Sequence, residues 1–273
     1  MSPGGTPMPG PLAGGMPRVE ARGLSFARPG NRVLERVSLR VEPGECVAIV
    51  GPNGVGKTTL IQCLAGLLRP QEGEILIGGR PQEELSARER ALRLAYVPQA
   101  DGRSLPFSVQ DFVMMGRFAH HGLLGAIQAQ DRAAVERAME DTHLLPLRER
   151  PMDRLSGGER QKAFIAAALA QGSPLLLLDE PTTFLDYGHQ VSISRLLRSF
   201  VGAEGRSILL VTHDLNTAAR LAHRILALVE GRVLFEGTPE EFLDPEVLQR
   251  IYGTAFLLFQ GPQGRLYGEP AFS

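Results

Sequence analysis

The segment from residue 46 to residue 68 constrains the fold more than any other part of the sequence. A short apolar run, Cys46–Val50, precedes the glycine-rich stretch Gly51-Pro-Asn-Gly-Val-Gly-Lys-Thr58, and helical spacing of apolar residues follows over Thr58–Leu68. The glycines let the backbone curl so that successive N–H groups point at a phosphate, and the following helix adds its positive N-terminal end. A phosphate loop between a strand and a helix predicts nucleotide binding within an α/β core.

The individual residues of this loop have predicted roles. We expect Lys57 to reach the β- and γ-phosphates and the hydroxyl of Thr58 to bind Mg²⁺. A glycine-rich turn that only links a strand to a helix is the alternative, but sequence and context both match the motif in full. The residues predicted to contact the nucleotide are Gly51, Pro52, Asn53, Gly54, Val55, Gly56, Lys57, Thr58 and Thr59.

Two acidic residues follow a second apolar run. The leucines of Leu175–Leu178 suit a strand that is buried on both faces, and Asp179 and Glu180 come directly after them. Ligands bind at the carboxyl ends of strands in open α/β sheets, so both carboxylates are expected near the phosphates. Asp179 is predicted to hold Mg²⁺, and Glu180 to orient and polarise the attacking water as a general base. The alternative is a solvated acidic turn.

Two more polar residues follow predicted strands. His213 comes after the apolar run Ile208–Val211, and Gln99 comes after Ala95–Val97. Strand ends that meet in one crevice would allow His213 a polar contact to the γ-phosphate. The amide of Gln99 would then contact Mg²⁺ and the attacking water. The alternatives are a structural histidine and an ordinary surface glutamine.

The motif Ser156-Gly-Gly-Glu159 begins a predicted helix that extends to Gln171. A serine followed three residues later by glutamate is a capping-box pattern, and Gly172 and Pro174 stop the helix. Two glycines at a helix N-terminus also leave backbone N–H groups open to a γ-phosphate. The structural and the phosphate-binding interpretations are compatible with each other.

Residue composition and the spacing of apolar residues divide the rest of the chain into segments. Residues 1–17 are rich in proline and glycine without periodicity and are predicted to be a disordered tail. Val19–Val41 suits two strands joined by a turn, and residues 105–160 suit a helical insertion without a strand. Strand–helix alternation resumes after Ser156 and predicts a mainly parallel sheet with helices on both faces. Residues 256–273 are assigned as a C-terminal extension.

The charge and the hydropathy of the chain restrict where it is expected to act and which classes of partner it is expected to bind. The net charge of −1 gives no electrostatic indication of a nucleic-acid partner, and none is expected. Every apolar run is too short to span a bilayer, and the N-terminus lacks a secretory pattern. We therefore expect a cytosolic chain that reaches the membrane only through a partner.

With these motifs in order, the chain resembles the ATP-binding cassette (ABC) ATPases from about Val19 to Leu243. The resemblance implies ATP hydrolysis and a P-loop (RecA-like) core of mainly parallel strands. It also implies an antiparallel N-terminal β subdomain and an inserted helical subdomain, all within residues 18–255. The family's elements are Walker A (Gly51–Thr59), the Q-loop (Gln99), the signature (Leu155–Glu159), Walker B (Leu175–Asp179) with Glu180, the D-loop (Asp186) and the H-loop (His213).

In that family two cassettes dimerise head to tail, and each ATP lies between the Walker A of one chain and the signature of the other. The resemblance implies that Ser156 and Gly158 act in trans on the nucleotide of a second copy. The implied nucleotide-contacting set also includes Gly157, Glu159 and Asp186. A homodimer of this chain is therefore expected.

The adenine contact departs from the family pattern. The family stacks adenine on an aromatic residue in the first strand turn, where this chain has Arg28. Arg28 is assigned to the nucleotide site because a guanidinium plane stacks on aromatic rings, and Phe26 is the alternative.

A finer resemblance is to ATPase subunits of importers for iron-siderophores, haem and cobalamin. Four stretches carry it: Arg93–Gln99, Ser108–Arg117, Thr183–Gln190 and Asp214–Asn216. Zinc and manganese importers have related cassettes and are an alternative. A soluble, non-transport ABC ATPase is another, disfavoured because the chain lacks a long coiled-coil insertion. A third alternative is an unrelated P-loop enzyme such as a GTPase or kinase. The motif at residues 155–159, Glu180 and His213 would then be coincidences.

The importer resemblance implies partners and a location. Integral membrane permease subunits are the expected direct partners, and a substrate-binding protein is an indirect one. The chain would lie peripherally at the cytoplasmic face of the inner (cell) membrane. Asp101–Phe107, beside the helical insertion, is the candidate docking surface, with a generic exposed loop as the alternative. The solute is chosen by the permease and the binding protein.

Overall fold

The computed structural model describes residues 18–99, 105–121, 126–183, 185–202, 205–261 and 266–271. The first elements are β1 (Val19–Arg28), β2 (Asn31–Val41), β3 (Cys46–Val50), α1 (Lys57–Leu64), β4 (Glu72–Ile77), β5 (Arg80–Pro81), α2 (Ala87–Ala91), β6 (Leu94–Val97), α3 (Val109–Met114), α4 (Phe118–His121) and α5 (Ala129–Asp141). The others are α6 (Gly157–Gln171), β7 (Leu175–Asp179), α7 (Tyr187–Gly202), β8 (Ser207–Val211), α8 (Leu215–Leu221), β9 (Arg224–Val229), β10 (Arg232–Gly237), α9 (Pro239–Phe242), α10 (Pro245–Tyr252), β11 (Phe256–Gln260) and β12 (Leu266–Pro270). In these described ranges, no helix has both the length and the apolar character that crossing a bilayer requires.

The first four-stranded sheet is antiparallel and has the strand order β2-β1-β4-β5. The predicted turn joins β1 to β2, and Arg28 pairs with Asn31 across it. Buried residues of β1, such as Val19 and Leu24, pack in one apolar cluster with Leu60 and Leu64 of α1. This sheet confirms the predicted antiparallel N-terminal β subdomain.

The six-stranded sheet has the order β10-β9-β3-β8-β7-β6. Its neighbouring pairs from β9 to β6 are parallel, and only β10 runs antiparallel to its neighbour. Every residue of β3, β7 and β8 is buried, as their continuous apolar sequences require. The mainly parallel sheet confirms the predicted α/β fold, and it brings the carboxyl ends of these strands to one edge.

The insertion between β6 and β7 is helical, as predicted. α3, α5 and α6 enclose a separate apolar cluster that includes Val113, Met139 and Ala166. The first helix of the insertion ends at Met114, and the chain then tightens into a 3₁₀ turn. A Cβ on Gly116 would lie 2.1 Å from the carbonyl oxygen of Ala167, so the turn approaches α6 more closely than any side chain would allow.

Helix α1 is shorter than its sequence pattern predicts, since it ends at Leu64 rather than at Leu68. Ala65 caps the helix, and Gly66 follows with a φ of 73°. A left-handed glycine after a helix is a common C-terminal stop, because it pays no steric penalty there. Leu67 falls within the predicted helical range but lies beyond the end of α1, and it is 61% exposed.

The C-terminal segment adds structure that the sequence pattern did not predict. Strands β11 and β12 pair as an antiparallel hairpin. The side-chain amide of Asn216 in α8 donates to the carbonyl oxygen of Gly268 at 3.1 Å, and the Gly268 N–H donates back to Asn216 Oδ1 at 3.0 Å. The hairpin is thus hydrogen-bonded to the helix that follows His213. The domain boundary before residue 256 stays a prediction.

Candidate functional site

A cavity of about 280 Å³ lies where the phosphate loop meets the turn between β1 and β2. Most of the predicted loop residues line it, and Glu180 reaches it from the end of β7. Gly51, Pro52 and Val55 belong to the loop but do not line the cavity. The lining residues are Arg28, Asn31, Val33, Asn53, Gly54, Gly56, Lys57, Thr58, Thr59 and Glu180.

Two glycines of the loop are required by close packing as well as by backbone conformation. Gly51 has a φ of 135°, and a Cβ there would lie 2.0 Å from the carbonyl oxygen of Leu228. Gly56 has a φ of 105°, and a Cβ there would lie 2.7 Å from the carbonyl oxygen of Val33. Neither position tolerates a side chain, so the curled loop sits directly on the strands below it.

Lys57, the first residue of α1, is buried beneath the loop. Its Nζ donates to the carbonyl oxygens of Gly51 at 2.7 Å and Pro52 at 2.8 Å. Burial lowers the pKa of Lys57, while the carboxylates of Glu180 and Asp179 act in the opposite direction. The ammonium is therefore held in place by neutral acceptors that an anionic phosphate would outcompete.

Asp179 lies at the buried end of β7, and both of its carboxylate oxygens have partners. The hydroxyl of Thr58 donates to Oδ1 at 3.2 Å, and the hydroxyl of Tyr96 donates to Oδ2 at 3.4 Å. Burial raises the pKa of Asp179, and the hydrogen bond from Thr58 is the strongest opposing effect. The predicted pair of Thr58 and Asp179 is thus brought together as a set of adjacent oxygen atoms.

Tyr96 was not predicted as a site residue. It belongs to β6 beside β7, and burial, followed by the negative charge of Asp179, raises its pKa to about 12. A hydrogen bond from Gln62 of α1 acts in the opposite direction. The one available signal was a hydroxyl-bearing residue in an otherwise apolar strand, three residues before Gln99.

Glu180 and His213 meet at neighbouring strand ends. His213 Nδ1 lies 3.2 Å from Glu180 Oε2, and the same oxygen accepts a bond from the hydroxyl of Thr183 at 2.8 Å. The N–H of Glu180 donates to the carbonyl oxygen of Val211 at 2.9 Å. Glu180 has a φ of 49°, an uncommon conformation for a residue with a side chain and one that recurs at functional sites.

The structure places the candidates for the adenine contact and the Q-loop residue differently. Arg28 lines the cavity, whereas Phe26 packs against the apolar cluster of the antiparallel sheet. Gln99 is exposed just beyond the end of β6 and does not line the cavity. The assignment of Gln99 to the site therefore stays a prediction.

The signature residues form the predicted capping box at the start of α6. The N–H of Ser156 donates to Glu159 Oε2 at 2.8 Å, and the N–H of Glu159 donates to Ser156 Oγ at 3.3 Å. None of the four residues from Ser156 to Glu159 lines the cavity, and neither does Asp186. One chain therefore assembles the phosphate-loop half of the predicted site and leaves the signature half elsewhere on its surface.

The candidate docking surface is only partly covered by the described residues. Asp101 to Ser104 lie outside them. The side chain of Asp153 accepts a hydrogen bond from the N–H of Leu105 at 2.7 Å, and Phe107 is 40% exposed. Phe118 of α4 is also exposed, at 44%, so the described part of the helical subdomain presents apolar rings to solvent.

Comparison with known proteins identifies the family. Residues 34–183 match the sequence profile described as ABC transporter. The chain is 39% identical over 224 residues to the iron(3+)-hydroxamate import ATP-binding protein FhuC of Bacillus subtilis (strain 168), covering 82% of this chain and 83% of the relative.

Two solved structures share the fold over most of their length. One is an inward-facing structure assigned to the metal-chelate type of ABC transporter, with a TM-score of 0.81, 26% identity and coverage of 94% of this chain and 98% of that one. The other is a dimeric, post-hydrolysis state of the ATP-binding cassette MJ0796 bound to ADP and Pi, with a TM-score of 0.73, 27% identity and coverage of 81% and 98%. From the matched profile and the extent of this identity, the chain belongs to the ABC transporter family.

Proposed function

We propose that this chain is the ATP-hydrolysing subunit of an importer for metal chelates, acting as a homodimer on permease subunits at the cytoplasmic face of the membrane. The observation that carries the proposal is the division of the site. Most of the phosphate loop lines one cavity together with Glu180, and His213 contacts Glu180, while the signature lies outside that cavity. Two copies arranged head to tail, as the family resemblance implies, would complete each site, and a cassette of similar fold is itself dimeric.

Nucleotide binding rests on the phosphate loop. Its successive N–H groups and the N-terminal end of α1 attract the phosphates of ATP. Lys57 would exchange its bonds to the carbonyl oxygens of Gly51 and Pro52 for charge-assisted bonds to the β- and γ-phosphates. Arg28, at the rim of the same cavity, would stack on the adenine through its guanidinium plane.

The donors around Asp179 fit Mg²⁺. This ion prefers oxygen ligands and is usually held by one or two carboxylates together with substrate phosphates. The Thr58 hydroxyl and the Asp179 carboxylate offer such a set with their oxygens 3.2 Å apart, and the Gln99 amide would add a third. When bound, Mg²⁺ neutralises charge on the β- and γ-phosphate oxygens. Tyr96 and its partner Gln62 would keep Asp179 oriented towards this position.

Hydrolysis rests on the pair formed by Glu180 and His213. The Glu180 carboxylate would orient the attacking water and accept its proton as the water oxygen bonds to the γ-phosphorus and the bond to ADP breaks. The hydrogen bond from Thr183 holds this carboxylate towards His213. His213 is 53% exposed, so its ring is free to contact the γ-phosphate once nucleotide is bound.

The trans role of the signature predicts the behaviour of a Ser156→Arg variant. In a Glu180→Gln background, which should preserve bound ATP, Ser156→Arg is expected to raise the ATP concentration needed for dimerisation at least about 10-fold, a typical size for coupling between two sites. A bulky cation at the start of α6 would occupy the partner's phosphate position, whereas ATP binding to the monomer would persist. Analytical ultracentrifugation measures the first effect and ATP titration the second.

A matched control is Ser199→Arg, at an exposed serine of α7 whose hydroxyl donates locally to the carbonyl oxygen of Leu196. It should dimerise like the parent. Normal ATP-dependent dimerisation of the Ser156→Arg protein would contradict the trans-site arrangement.

The substrate class comes from the relatives and not from the cavity. The Bacillus subtilis relative is named for iron(3+)-hydroxamate import, and one structural relative is assigned to the metal-chelate type. We therefore favour an iron-siderophore, with haem or cobalamin, and then zinc or manganese, as the other candidates. A substrate-binding protein would deliver the solute to the permease, so this chain need not contact it.

The experiment that tests this function is affinity purification of the tagged chain from native membranes in mild detergent, followed by mass spectrometry. A polytopic permease should co-purify, and its crosslinks to the chain should map near Phe107 and the helical subdomain. Recovery of soluble partners alone, with the chain absent from membranes, would contradict the importer proposal. Crosslinks confined to other surfaces would remove residues 101–107 from the docking role and leave the importer intact.

A further inference from the structure

The second glycine of the signature is packed against a histidine of the same chain. A Cβ on Gly158 would lie 2.7 Å from Cδ2, 2.8 Å from Cγ and 3.1 Å from Nε2 of His189. Around the first glycine, Gly157, the described residues place no atom within 4 Å of the Cβ position, apart from its chain neighbours and the backbone of its own helix. Neither glycine has a left-handed backbone, so conformation alone does not explain why Gly158 carries no side chain. The imidazole of His189 occupies that space instead.

The same imidazole is hydrogen-bonded to the D-loop residue Asp186. His189 Nδ1 lies 2.8 Å from Asp186 Oδ2, and the backbone N–H of His189 donates to Asp186 Oδ1 at 2.9 Å. The backbone bond, followed by the side-chain bond, lowers the pKa of Asp186. Both carboxylate oxygens are thus tied to one residue, and the His189 ring is fixed between the D-loop and the signature.

We propose that His189 is a positioning residue that joins the N-terminus of α6 to Asp186 as one rigid unit. This inference deepens the proposed function and rests on it, because both elements are expected to act at a site shared with the partner copy. When the signature presents its N–H groups to the partner's γ-phosphate, Asp186 would move to the dimer interface with it, because His189 joins the two. Gly158 then serves two needs, close approach to phosphate and contact with the His189 ring.

The two needs can be separated by a double-mutant cycle, because only one of them depends on His189. In the Glu180→Gln background, Gly158→Ala is expected to raise the ATP concentration for half-maximal dimerisation by about 10-fold or more, and His189→Ala by about 10-fold. The double variant Gly158→Ala/His189→Ala should dimerise better than Gly158→Ala alone, because removal of the ring makes room for the added methyl group.

Two further variants distinguish a positioning role of His189 from a nonspecific disturbance of the structure. His189→Asn retains a side-chain donor for Asp186 and should dimerise more like the parent than His189→Ala does. Gly157→Ala adds a methyl group that does not meet the His189 ring. The double variant Gly157→Ala/His189→Ala should therefore dimerise no better than Gly157→Ala alone. ATP binding to the monomer, whose cavity His189 does not line, should be equal in all the variants, which confirms that they fold.

Three results would overturn the inference. A double variant no better than Gly158→Ala would show that the His189 ring is not what excludes a side chain at position 158. A His189→Ala variant that dimerises like the parent would remove its positioning role. A Glu180→Gln parent that fails to dimerise with ATP would overturn the proposed dimer itself, and that result is distinguishable because it appears before any change at His189 or Gly158.

Discussion

Replacement of Glu180 by glutamine is expected to slow ATP hydrolysis by about 10²–10⁴-fold while ATP binding is retained, the usual scale for loss of a general base. Glutamine keeps the shape of the side chain and an oxygen that can accept the bond from Thr183. Its neutral amide cannot take the proton of the attacking water. The chemical step should therefore fail, although the cavity and the phosphate loop are unchanged.

Single-turnover phosphate release measures the rate of hydrolysis, and ATP titration measures the retained binding of ATP. Glu230→Gln is a matched control, because Glu230 is another glutamate with a left-handed backbone, at a φ of 48°, and it is exposed in the turn between β9 and β10. It should hydrolyse ATP at the parental rate. A Glu180→Gln protein that did the same would remove Glu180 from the catalytic role and point to another acceptor for the proton.

The strand ends of this site could be predicted from sequence because each rests on a local signal. Cys46–Val50, Leu175–Leu178 and Ile208–Val211 are short, continuous apolar runs. The first is followed by the glycine-rich loop and the other two by polar residues. Burial of such runs on both faces requires a parallel sheet covered by helices, and parallel strands bring their carboxyl ends to one edge. The meeting of Glu180 with His213 then follows from topology.

The contacts that were missed depend on tertiary packing between distant residues. Tyr96 reaches Asp179 across 83 residues of sequence, because β6 pairs with β7 in a register that sets Tyr96 opposite Leu177. His189 reaches Gly158 because the first turn of α7 lies beside the start of α6, which no local pattern indicates. Side-chain partners of this kind have no signature in spacing, since many registers would satisfy the same hydrophobic pattern.

Replacement of Lys57 by alanine is expected to weaken ATP binding by about 30-fold to a few thousand-fold. Truncating one partner of a buried, hydrogen-bonded charge pair costs roughly 2–5 kcal/mol, and each 1.4 kcal/mol is about a tenfold change in affinity. Lys57 is 6% exposed, so water cannot replace its ammonium beside the phosphates. ATP titration of the nucleotide-free protein measures the effect.

The sequence offers its own control for this change, because Lys162 in α6 is the only other lysine. Lys162→Ala removes an equal charge outside the cavity and should bind ATP like the parent. Within the chain, Lys57 donates to the carbonyl oxygens of Gly51 and Pro52. If Lys57→Ala weakened binding only a few-fold, those bonds would have to persist in the complex. The N–H groups of the loop and the N-terminus of α1 would then carry the affinity for phosphate, and Lys57 would serve chiefly to brace the loop.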